Sequence, residues 1–187
     1  YIESLHNFGL FHFQVGDVDK AVLALEKLRG AKTYNEQETI KVVELYFHFK
    51  IGLCIDSFNK EEGLRTIADF ETEFQRRLSG KLMKSVELTI YYLAGMFFIW
   101  IDRPSDALVW INKILNEPRT ELRTDLQCMS RILNLVIHYE LGNYDLMEYH
   151  LKSTSRFLAN RVRLFGFEKV NLKYLRQLAV LGPDVDP

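Results

Sequence analysis

Apolar residues recur along the chain at intervals of three and four. Leu5, Phe8, His12 and Val15 mark one helical face before Gly16-Asp17 interrupts it, and Val18, Ala21, Val22, Leu25 and Leu28 resume the spacing until Gly30. This opening predicts two helices joined by a tight turn. Asn35 followed by Glu38, and Asn59 followed by Glu62, place an acceptor and a carboxylate where a helix start needs them. They predict a third helix running to about Ile55 and a fourth through Leu64, Ile67, Phe70 and Phe74. After Ser79-Gly80 the pattern predicts a fifth helix from about Lys81 to Ile101, and Pro104, tolerated in a first turn, launches a sixth from Ser105 to about Leu115. Pro118 marks the next break. A seventh helix is predicted from Glu121 to Leu141, an eighth from the Gly142-Asn143 turn to about Val162, and a ninth from Phe167 to Leu181, ended by Gly182-Pro183. No segment alternates apolar and polar residues over a strand length, so the expected class is all-α.

The helices also recur. Gly9, Gly52 and Gly95 are spaced by 43 residues, and the same lag superposes Leu10, Leu53 and Met96, then Phe8, Ile51 and Ala94, then the turn residues Gly16, Asn59 and Asp102. A further turn follows at Gly142-Asn143. The pattern predicts antiparallel helix pairs over about 1–30, 35–77, 81–116 and 120–162, with a closing helix at 167–181, stacked as an α-α superhelix in a single domain 1–187. Because the chain opens at Tyr1 with apolar periodicity already under way, it reads as a fragment of a longer protein.

In the first pair Leu5, Phe8, Gly9, His12, Gly16, Ala21, Leu25 and Leu28 fall at offsets that resemble the tetratricopeptide repeat, and in the third pair Tyr91, Ala94, Gly95, Phe98, Ala107, Ile111 and Ile114 resemble it again. The second pair departs, with Gly63 one residue short of the expected small position, and the fourth carries Leu135 and Met147 where small residues belong. The resemblance implies a solenoid of helical hairpins whose concave side carries His6, Leu10, Phe13, Phe49, Leu53, Tyr92, Met96, Trp100, Val136 and Tyr139. A groove lined in this way suits a helix or an extended apolar peptide, with aromatic anchors. It lacks the Lys/Asn/Arg set with which some members of that family clamp a terminal carboxylate. Packing by neighbouring helices would equally account for its aromatic character.

Composition narrows the reading further. Gly and Pro together make up 14 of 187 residues, about 7% against roughly 12% on average, which favours long helices over a turn-dense β fold. Cys54 and Cys128 form no CxxC or Cys/His cluster, so neither a disulfide framework nor a structural zinc site is implied, and the cytoplasm is the expected location. The longest near-apolar stretch, Leu88 to Ile101, is too short for a bilayer span. From His150 to Leu181 the bases Lys152, Arg156, Arg161, Arg163, Lys169, Lys173 and Arg176 face the single acid Glu168, a local charge of +6 in a chain of net charge -1. With Phe157, Phe165, Phe167 and Tyr174 interleaved, this segment could hold phosphates and stack on bases; core aromatics with solvated charges explain it as well.

Catalytic chemistry is poorly represented. His6, His12, His48, His138 and His150 include no pair four apart on one helix, the acidic pairs Glu61-Glu62 and Asp102/Asp106 sit where helix starts explain them, and no phosphate-binding glycine loop or nucleophile elbow occurs. The expectation is a non-enzymatic scaffold without cofactor or metal, whose partner is a protein or peptide. The alternative is a regulatory module that contacts nucleic acid or another polyanion through its basic C-terminal helices.

Overall fold

The computed structural model describes residues 1–159 and 166–181, with backbone alone at 77, 166–169 and 179–181. The described residues form α1 (Ile2–Gln14), α2 (Val18–Arg29), α3 (Glu36–Asp56), α4 (Lys60–Glu73), α5 (Lys84–Trp100), α6 (Pro104–Leu115), α7 (Thr124–Glu140), α8 (Tyr144–Ala159) and α9 (Gly166–Leu181). One π-helical turn, Phe74–Leu78, prolongs α4. No strand occurs among these residues, so the chain is all-α. The helices fall into two compact units, Tyr1–Phe97 and Phe98–Pro187.

Four helix ends share one chemistry. The residue just past the helix is left-handed: Gly16 (φ 84°) and Phe58 (φ 55°) in the first unit, Asp102 (φ 59°) and Gly142 (φ 69°) in the second. Each left-handed N–H donates to the carbonyl three residues back, and the next N–H donates to the carbonyl five back: Gly16 to Phe13 and Asp17 to His12, Phe58 to Ile55 and Asn59 to Cys54, Asp102 to Ile99 and Arg103 to Phe98, Gly142 to Tyr139 and Asn143 to His138. This is the Schellman arrangement, which satisfies the last carbonyls of a helix while reversing the chain. At the second joint the left-handed residue is Phe58 rather than the expected Asn59. Asn59 instead caps α4, accepting the Glu62 N–H at 3.1 Å, as Asp17 caps α2 by accepting that of Lys20 at 3.3 Å.

In the first unit α1 and α2 pack on each other and both pack on α3, and α3 packs on α4. Ala21, Leu25, Phe49 and Leu53 form one core cluster, with Leu10, Phe13 and Tyr46 against it. Gly9 is a close crossing, as its place in the repeat predicts: a methyl there would overlap the Phe49 ring and meet the Ala24 Cβ at 3.1 Å. Gly52 is not, since a Cβ there meets nothing within 4 Å. The second pair's close approach falls instead at Gly63, where a methyl would overlap the edge of Phe97.

Two predicted boundaries shift, the first set by a long-range hydrogen bond and the second marked by a local ion pair. The fifth helix starts at Lys84, not Lys81, because the Met83 N–H donates to the buried Glu44 carboxylate of α3 at 3.0 Å. The seventh starts at Thr124, not Glu121; its Arg123 lead-in is tied to Asp125 by a guanidinium–carboxylate pair at 2.7 Å. Its first turn then caps α6, with Gln127 Nε2 donating to the Ile114 carbonyl at 2.7 Å. In the second unit α6 packs on α7, α7 on α8, and α9 on both α7 and α8. Cys128, Ile132, Leu135, Leu151, Leu158, Leu172 and Leu175 fill that core. Leu135 and Met147, the large residues at expected small positions, are both fully buried. No helix among the described residues is long and apolar enough to cross a membrane.

Candidate functional site

The aromatic groove residues lie in both units and differ in access. In the first, His6, Phe13 and Phe49 meet: the His6 ring is 6.0 Å from Phe49, nearly perpendicular to it, and Phe13 is 6.3 Å away on another side. Phe49 and Leu53 are core residues, and His6 is buried, with Nε2 lacking a partner. Burial holds the His6 imidazole below its ordinary pKa. Phe13, Leu10, Tyr92 and Met96 are half-buried, and burial pushes the Tyr92 hydroxyl up. In the second unit Trp100, Val136 and Tyr139 are half-buried, with Tyr139 edge-on to Tyr144 at 5.8 Å.

Exposed apolar residues gather on the first hairpin. Phe8, Phe11 and Val15 form a stripe at three- and four-residue intervals along α1, exposed to 47%, 58% and 61%, and Val18, Val22 and Leu23 of α2 are also more than a third exposed. Apolar surface of this extent on paired helices is uncommon outside binding sites. The residues were legible as helix-face residues, but their opposite sides, Gly9, Ala21 and Leu25, face the core.

The basic candidates separate likewise. Lys152, Arg156 and Arg176 line one cleft of about 980 Å3 with Tyr144, Asp145 and Glu148. The Lys152 ammonium pairs with Glu148 at 2.6 Å, and Arg176 donates to the Ser155 hydroxyl at 2.8 Å. Lys173 is exposed on α9. Arg161 and Arg163 lie outside the described residues, as does the side chain of Lys169.

One constellation escaped sequence reasoning as a site. Arg131, Asn134 and His138 share a face of α7 at intervals of three and four, within an otherwise apolar run, and line a cleft of about 400 Å3 with His150, Ser153 and Thr154 of α8 and Asn112 and Asn116 of α6. His138 and His150 stack, ring centroids 4.6 Å apart and planes 13° from parallel. Burial holds both imidazoles below their ordinary pKa, and the neighbouring His150 disfavours a charge on His138 further. The Asn143 amide donates to Nδ1 of His138 at 3.3 Å. His12, at the same place in the first hairpin, sets its Nδ1 3.4 Å from the Asp17 carboxylate, so each histidine reaches to the first residue after its left-handed turn.

Cys54 and Cys128 are buried and form no disulfide, and burial raises the pKa of Cys54. Among the described residues no group of three His, Cys, Asp or Glu stands together as a metal site requires. The chain matches no protein-family model, no curated protein and no solved structure.

Proposed function

We propose that this chain is a non-enzymatic scaffold, a tetratricopeptide-like superhelix of antiparallel hairpins closed by α9, that docks an amphipathic helix of a partner protein. The repeat reading draws support from the Schellman joint that recurs every 40 to 44 residues with the same two hydrogen bonds. The observation that carries the function is the outward apolar stripe Phe8, Phe11, Val15 of α1 with Val18 and Val22 of α2. A helix supplying apolar residues at matching intervals would bury it, and the two phenylalanines would serve as anchors. Two cysteines without a disulfide suit a reducing compartment such as the cytoplasm.

A second reading, contact with nucleic acid or another polyanion, draws on Lys152, Arg156 and Arg176 lining one cleft; Glu148 and Asp145 in the same cleft count against it. The test is a photo-crosslinking residue in place of Phe11. The scaffold reading expects a discrete protein adduct in source cells, and none with the crosslinker in place of the exposed Lys60. Equal labelling from both positions would refute it.

A further inference from the structure

The polar face of α7 carries an inference independent of the scaffold reading. Asn134 is only 4% exposed, and its Oδ1 is buried without a hydrogen-bond partner. Arg131 Nε is likewise buried and unpartnered. Such groups are costly to leave unpaired, so their recurrence along one cleft points to a ligand that would pair them. The Arg131 guanidinium lies over the Phe157 ring at 4.0 Å, which fixes its plane and leaves its N–H edge available to an oxyanion. Among the described residues no carboxylate pairs with it; burial and the Cys128 thiol are the influences it feels. No acidic side chain lines the cleft, so nothing there would repel an anion or recruit a cation. Its volume of about 400 Å3 is that of a small-molecule site.

We propose that the cleft between α6, α7 and α8 binds a small phosphorylated metabolite, its phosphomonoester head accepting from Arg131 and the Ser153 hydroxyl, and a hydroxyl of its carbon body donating to the Asn134 Oδ1. A phosphate, with three acceptor oxygens, engages the Arg131 N–H edge and the Ser153 hydroxyl together more fully than a carboxylate does, and the body's hydroxyl supplies the donor that Asn134 Oδ1 lacks. The free cleft has one permanent charge, Arg131, because burial favours neutral His138 and His150. The titratable and charged groups that line the cleft beside the stacked pair are Arg131 on α7 and Tyr149 on α8, with none from α6 or α9. A phosphate dianion therefore draws a proton onto the pair, and binding strengthens as pH falls toward the ordinary imidazole range.

The experiment follows the His138 and His150 ring resonances while inorganic phosphate, glycerol phosphate or acetate is added to the whole chain at constant ionic strength. Glycerol phosphate is expected to shift both rings saturably, with millimolar or tighter affinity, to raise their titration midpoints, and to bind more tightly than inorganic phosphate; acetate leaves them in place. Arg131→Gln should weaken binding about tenfold or more, the effect of losing a charge-assisted bidentate contact. Ser153→Glu, at an exposed position that leaves folding intact, should abolish binding by repulsion, whereas Arg156→Gln should change nothing. The proposal is overturned if both phosphates leave the rings unmoved, if Ser153→Glu binds like the parent, if acetate equals glycerol phosphate, or if inorganic phosphate binds as tightly as the monoester.

Discussion

The edge of the Phe97 ring lies against the backbone of Gly63, so close that a methyl on that glycine would overlap it. Phe97 is fully buried, so the ring has nowhere to withdraw. Gly63→Ala gains about 1 kcal/mol of helix propensity but incurs an overpacking cost of about 1 to 3 kcal/mol. The expected result is a lower urea midpoint. Gly52→Ala is the control: a Cβ there meets nothing within 4 Å, so only the propensity gain remains and the midpoint should rise.

Phe58 occupies a left-handed position that glycine fills at two of the three equivalent joints, and its side chain is 73% exposed. Phe58→Gly should therefore stabilise the chain by about 1 kcal/mol, read as a higher melting temperature, because backbone strain is relieved and little packing is lost. A drop in stability would show that the Phe58 ring holds the joint.

Gln127 is fully buried and donates to the Ile114 carbonyl at the end of α6. Gln127→Leu preserves volume, and because the Ile114 carbonyl still accepts the Glu117 N–H at 3.1 Å while the unpartnered Gln127 Oε1 is removed, equilibrium unfolding should change by no more than about 1 kcal/mol.

His6, His138 and His150 all have folded-state pKa values lowered chiefly by burial. Below the ordinary histidine value of about 6.5 the unfolded chain thus takes up more protons than the folded one, and stability falls with pH. The carboxylates held low by cationic partners, such as Glu62 beside Lys50 and Asp125 beside Arg123, contribute above their ordinary range and lose that contribution only at more acidic pH. Urea unfolding in phosphate-free buffer should accordingly weaken between about pH 6.5 and 5. His150→Phe, which keeps a stacked ring, should flatten that slope.

These tests fall where local pattern and tertiary packing part company. The three- and four-residue spacing made the helices legible, and Asn35 does cap α3, accepting the Glu38 N–H at 2.8 Å while the Glu38 carboxylate accepts the Tyr34 N–H. The Glu62 carboxylate, in the same sequence context, turns instead to Lys50 at 2.8 Å, because a cation on α3 outcompetes a local N–H. A fixed repeat interval marked Gly52, yet a close crossing depends on which ring stands opposite, and Phe97 stands opposite Gly63. The polar face of Arg131, Asn134 and His138 was readable as a spacing. That two of these side chains keep unpartnered atoms is a property of three helices together, which no single segment encodes.

The most direct test of the scaffold account is capture of partners by the full-length protein and by its Phe8→Glu/Phe11→Glu variant, each washed across a salt series. Both positions are exposed, so the variant should fold as the parent does. Apolar docking predicts a partner retained by the parent at every salt concentration and absent from the variant, since burial of apolar surface is nearly indifferent to salt. Polyanion binding through Lys152, Arg156 and Arg176 predicts the reverse: equal capture by both proteins, and log-linear loss as salt rises. That second pattern would contradict the account.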